Sequence, residues 1–122
     1  MIVVDTSVWV DHLRTGDQKL AELLGRALVL AHPFVIGEIA LGTLRQRGLV
    51  MTSLGKLSRA IVATDEEVLR FIDGAGLAGS GIGYVDAHLL ASAKLTRGAS
   101  LWTRDRRLRA VAQSLGLAAP LA

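Results

Sequence analysis

Four carboxylates in this chain stand where they could do chemistry: Asp5, Glu38, Asp86 and Asp105. Asp5 follows directly on Ile2-Val3-Val4 and leads into Thr6-Ser7, so a carboxylate and two hydroxyls leave the end of one apolar run. Thr103-Arg104-Asp105 leaves Ser100-Leu101-Trp102 in the same way. Glu38 is the one acid in the otherwise apolar stretch Phe34 to Gly42, where a carboxylate is costly unless it is partnered or binds a cation. Asp86 is the one acid between Tyr84 and Leu95. Carboxylates gathered together repel, and raise one another's pKa, unless a cation offsets them. Hard oxygen donors without His or Cys partners select Mg²⁺ or Mn²⁺ over zinc. Such an ion keeps waters that can be oriented or deprotonated as nucleophiles, and it stabilises charge developing on a phosphoryl oxygen. Thr6, Ser7 and Thr103 could hold such waters or a phosphate. Each residue also has a plainer use. Asp5, Ser7 and the threonines are common helix-cap and turn residues, and Asp86 suits the first turn of a helix for its dipole alone.

The elements that must position these groups read as alternating β and α. Ile2-Val3-Val4 has the β-branched composition of a buried parallel strand, and Val8-Trp9-Val10 resumes at a helical spacing. A short helix is expected through Leu20, Leu23 and Leu24 up to Gly25, then a strand over Ala27 to Leu30. His32-Pro33 ends that strand, and Pro33 suits the first turn of the helix carrying Glu38. Thr43 to Leu57 reads as one or two amphipathic helices with a break near Gly48, and Ala60-Ile61-Val62 as a third strand. Thr64 to Glu67 carries a capping-box pattern, which accounts for the acids there. Five glycines between Gly74 and Gly83 make a loose rim. Helices over Tyr84 to Leu95 and Leu108 to Leu115 flank the strand Ser100 to Trp102, with Gly116 as the stop. This order predicts an α/β fold, a central parallel sheet of about four to five strands with helices on both faces. Asp5 and Asp105 then leave one edge of the sheet, with Glu38 and Asp86 in the first turns of helices beginning near it. Four separate plain explanations coinciding at one rim are harder to accept than one shared purpose.

The chain has 122 residues, 51% of them hydrophobic, with no cysteine and a net charge of +3. That length suits one domain over residues 1–122. Without cysteine there is neither a disulfide framework nor a thiolate metal site, as expected of a cytoplasmic protein. No apolar run reaches the ~20 residues of a membrane span, and Asp5 and Asp11 interrupt any signal-like segment. The apolar surplus is better suited to a subunit or partner interface than to lipid. Arg104, Arg106, Arg107 and Arg109 crowd the last acid, with Arg97 a little upstream. Arginines beside a cation-dependent acidic centre suit a polyanion such as RNA, although most charge runs are solvated helix faces. Five aromatics give little material for base stacking. His12, His32 and His88 share no spacing that suggests acid–base work, and are read as structural or exposed.

The stretches Asp5-Thr6-Ser7-Val8-Trp9, Pro33 to Gly42, Asp86-Ala87-His88-Leu89-Leu90-Ala91 and Thr103 to Leu108 together resemble a PIN domain, specifically the VapC toxins of bacterial toxin–antitoxin pairs. The likeness runs the length of the chain in the family's order. It implies a PIN-like fold and an Mg²⁺- or Mn²⁺-dependent endoribonuclease that acts on RNA as a homodimer and is inhibited by a small cognate antitoxin. By matching position it gives Asp5, Glu38, Asp86 and Asp105 the acidic-site roles, with Asp5 and Asp86 foremost as metal ligands, and Thr103 the hydroxyl role before the last acid. Arg104, Arg106 and Arg107 are then expected to bind RNA. Asp105 is followed by arginines and no later acid, so a fifth carboxylate seen in some relatives is missing. The rival reading is a module on the same fold that binds RNA or a partner without cutting. A haloacid-dehalogenase-type phosphohydrolase wants a second Asp two residues after the first, and Ser7 stands there instead.

Overall fold

The computed structural model describes residues 1–122. Its centre is the first strand, β1 (Ile2–Val4), whose Val3 and Val4 are almost wholly enclosed. β2 (Val29–Ala31) pairs with it in parallel on one side, with Ile2 opposite Val29 and Val3 opposite Leu30. β4 (Ser100–Trp102) pairs in parallel on the other side, with Val4 opposite Trp102. β3 (Ser58–Arg59) adds to the far side of β2, giving the order β3-β2-β1-β4. A single parallel bridge from Leu101 to Ala118 brings the end of the chain alongside β4, so a fifth strand is present only as one residue pair.

All four strands point the same way, and the strand order reverses between β1 and β4. The crevice beyond the carboxyl ends of those two strands is where ligands bind in open α/β sheets. Right-handed crossovers put the connections β1-β2-β3 on one face and the return to β4 on the other. The first connection holds α1 (Thr6–Thr15) and α2 (Gln18–Gly25); α3 (Pro33–Ala40) and α4 (Arg47–Gly55) join β2 to β3. On the return lie α5 (Asp65–Gly74) and α6 (Tyr84–Leu95), and α7 (Arg106–Ser114) follows β4. α6 is buried from Ala87 to Ala93 against β1 and β4, which explains why its composition is small and apolar.

Three boundaries differ from the sequence expectation. The second strand starts two residues late, because Ala27 takes a left-handed backbone (φ 55°) on leaving α2. The third strand is Ser58–Arg59 instead of Ala60 to Val62. It is an exposed edge, so apolar residues do not mark it, and after Ala60 donates to the Ala31 carbonyl the chain turns away, leaving Ile61 bonded to Thr96 Oγ1. The break before α4 falls at Gln46 (φ 51°), with Gly48 inside the helix. No helix is long and apolar enough to cross a membrane.

Candidate active site

Asp5 is the N-cap residue of α1, but its side chain does not cap the helix. It is 7% exposed, and its Oδ2 accepts from Thr103 Oγ1 at 2.7 Å and from Ser7 Oγ at 2.8 Å. A buried carboxylate needs such donors. The hydroxyls arrive from opposite ends of the chain because β1 and β4 are neighbours in register. The Arg104 backbone N–H donates to Ser7 Oγ at 3.0 Å, and the Asp105 N–H to Thr103 Oγ1 at 3.1 Å. Thus the turn after β4 is tied to the turn after β1 through two hydroxyls that both orient Asp5.

Glu38 reaches the same edge from the second turn of α3, where Thr6 Oγ1 donates to its Oε1 at 2.6 Å. Asp105 caps α7, its Oδ1 accepting from the Leu108 N–H at 2.9 Å. Asp86, in the first turn of α6, accepts from the Gly83 N–H through Oδ2 at 3.0 Å. Each of the four acids therefore spends one oxygen on the fold, and its second oxygen has no hydrogen-bond partner. Asp105 is a cap and Asp86 serves a helix start, and neither contact uses up the carboxylate.

Their electrostatics are shared. Burial pushes the Asp86 carboxyl above its ordinary range, against the Gly83 N–H, and the charges of Asp5, Asp105 and Glu38 push it the same way. No three of these groups stand close enough to grip one ion as they are. The donor set still fits a hard divalent cation: carboxylates with one open oxygen each, hydroxyls, no thiol, and all three histidines committed elsewhere.

The histidines are engaged with other partners, although His12 lines a cavity that also reaches Glu38. His12 Nδ1 accepts from the Asp17 N–H at 2.9 Å, and His32 Nδ1 caps α3 by accepting from the Phe34 N–H at 3.0 Å. His88 is buried, with Phe34 and Tyr84 against its ring and Asp65 Oδ1 3.2 Å from Nε2. Asp65 has more to do than the capping box suggested, since Tyr84 Oη also donates to it at 3.0 Å. The Thr64–Glu67 box itself is present in both directions.

The arginines divide. Arg104 turns from the rim to Asp17 and, at 2.7 Å, to Asp11, with its guanidinium over Trp102. It braces the end of α1 against the β4 turn, in contrast to the phosphate-binding role read from sequence. Its partners are Asp11 on α1 and Asp17 at the N-cap of α2. Arg106 and Arg107 are exposed and form no ion pair.

Residues 2–114 match the PIN domain family. The chain is 50% identical to Ribonuclease VapC32 of Mycobacterium tuberculosis, in strain H37Rv and in strain CDC 1551, over 118 residues that cover 97% of this chain and 95% of the relative.

Proposed function

The chain belongs to the PIN-domain family, among the VapC ribonucleases, and from that premise we propose a divalent-cation-dependent endoribonuclease toxin whose site is Asp5, Glu38, Asp86 and Asp105. The observation that carries the site is geometric: Asp5, Asp86 and Asp105 stand at the starts of α1, α6 and α7 and Glu38 on α3 is bonded to Thr6 beside Asp5, each acid keeping one oxygen without a hydrogen-bond partner. Mg²⁺ or Mn²⁺ fits the open oxygens, and when bound would supply activation of a water and offset charge gathering on the phosphate. The chain's own part is to orient Asp5 through Ser7 and Thr103, and Glu38 through Thr6, leaving the acids to draw together when a cation binds. Arg106 and Arg107 offer cations to RNA beside this centre.

The partners follow the same reading. A cavity of about 610 Å³ between α1, α3 and α4 reaches Glu38; its lining mixes the apolar Leu13, Ile39 and Val50 with His12, Arg14 and Arg45. Leu41, 90% exposed, and Leu49 stand beside its helices. A groove of mixed apolar and basic lining that runs up to Glu38 suits a small antitoxin that covers the site, and the exposed apolar surface elsewhere suits a homodimer. A single domain over 1–122 working in the cytoplasm completes the proposal.

The test is cleavage of single-stranded and structured RNAs with Mg²⁺, with Mn²⁺ and with chelator, the fragments' 5′ ends being sequenced. Metal-dependent cutting that disappears in Asp5→Asn and Asp86→Asn is expected. RNA binding without cutting would make the chain a non-cleaving module instead.

A further inference from the structure

Between Gly74 and Gly83 one glycine has a neighbour that explains it. Gly81 takes φ +87°, and Arg107 lies over it: a Cβ there would stand 3.1 Å from Arg107 Cδ, 3.2 Å from Nη1 and 3.4 Å from Nε. Gly74, Gly76 and Gly79 have nothing within 4 Å. Glycine at 81 thus serves two ends, a left-handed turn and an open bed for one guanidinium.

The contact joins the two segments that deliver acids to the rim. Arg107 is in the first turn of α7, just past its cap Asp105, and Gly81 lies just before Gly83, whose N–H holds Asp86. No carboxylate pairs with Arg107, whereas Arg104 pairs with two. A guanidinium is a planar fork of five donors that matches phosphate in two-point contact. Arg107 lies over the Gly81 backbone while its guanidinium stays exposed and free for a ligand.

We propose that Gly81 is the seat of Arg107, and that Arg107 held there grips a phosphate of the RNA next to the bond that is cut. This rests on the ribonuclease reading. Gly81 is a positioning residue that acts through Arg107, which sets it apart from the general attraction of its neighbour Arg106.

The experiment follows binding of a single-stranded RNA oligonucleotide against KCl concentration, in the Asp86→Asn protein so that RNA stays intact. Arg107→Ala should lower the slope of log affinity on log salt by about 0.7, the share of one phosphate contact on a single strand. Gly81→Asn should weaken binding with a smaller fall in slope, since Asn tolerates a left-handed backbone and chiefly adds the Cβ, which displaces the Arg107 charge without removing it. Gly81→Asn combined with Arg107→Ala should bind no more weakly than Arg107→Ala alone. Arg107→Lys should restore the slope but not the full affinity. On the protein with Gly81 and Arg107 intact, nitrogen relaxation should show Arg107 Nε–H ordered and Arg106 Nε–H mobile, a reading that needs no variant to fold. An unchanged slope in Arg107→Ala overturns the phosphate contact. Additive losses, or equal mobility of the two arginines, overturn the seat. If the unmutated protein neither binds RNA nor cuts it with Mg²⁺ or Mn²⁺, the ribonuclease reading falls and takes this one with it, an outcome distinct from losses confined to the variants.

Discussion

Asp86 is half-buried beside three other acids, and one backbone N–H is its only hydrogen-bond donor. Its raised pKa means that the folded state holds its proton more readily than the unfolded chain. The stabilising contribution is therefore full below the ordinary aspartate range and is lost as pH rises through the folded value. At neutral pH the ionised group opposes folding unless a cation is present. Asp86→Asn keeps an acceptor for Gly83 and removes the charge, so the metal-free variant should melt no lower than the wild type. A purely dipolar role predicts a loss of about 0.3–1 kcal/mol instead. Melts without metal separate the two. His32 has the opposite sign. Burial, helped by the charges of His88 and Arg59, pushes its pKa down to about 4, and its Nδ1 must stay unprotonated to cap α3. The unfolded chain therefore takes up the proton first. Stability present above pH 6.5 should drain away as pH falls toward 4, by at most roughly 3 kcal/mol. Urea unfolding at pH 7 and pH 4.5 should show that loss, and His32→Asn, which can still cap, should lose less.

At the level of elements, the turns after β1 and β4 share one set of hydrogen bonds, and Asp105 belongs both to that set and to α7. Asp105→Asn keeps a good cap and removes a charge, so it should melt near the wild type while cutting RNA poorly. Asp105→Ala should cut poorly and also lose about 1 kcal/mol of stability. Equal melting of the two variants would mean the cap contributes nothing. Much of this level was legible in the sequence. The helix from Tyr84 to Leu95 and the strands Ile2 to Val4 and Ser100 to Trp102 have the expected limits, because each is buried and its pattern of apolar residues records that. Ser58–Arg59 was not legible, since an exposed edge strand is held by backbone bonds that any side chain allows. Nor were the Arg104 brace and the Arg107 seat, which depend on where a long side chain turns after the backbone is set. Individual acids could be singled out, but the sharing of Asp5 between Ser7 and Thr103 needed the pairing of β1 with β4.

For the whole molecule, the question is what cancels the charge collected at one edge of the sheet. A ligand bound only by the folded state stabilises it in proportion to the logarithm of its concentration. With Mg²⁺ at a hundred times its Kd, the gain is about 2.7 kcal/mol, of the order of 10 °C for a chain of this size. Asp86→Asn should show much less of that shift, and calorimetry with and without Mg²⁺ reads it directly. Exposed apolar side chains such as Leu41 and Leu49 carry a second expectation, a homodimer at micromolar concentration. Sedimentation showing only monomer, with no binding of a hydrophobic dye, would count against both interfaces.

The pairing of the first strand with the last has a consequence during synthesis. Asp5 is made long before Thr103, so its two hydroxyl donors are not both present until Thr103 has been added, and Asp105 has no helix to cap until Leu108 follows. Long-range parallel pairing of this kind closes late. A partly translated chain, still held by the ribosome whose RNA surrounds it, therefore carries scattered acids and no assembled nuclease.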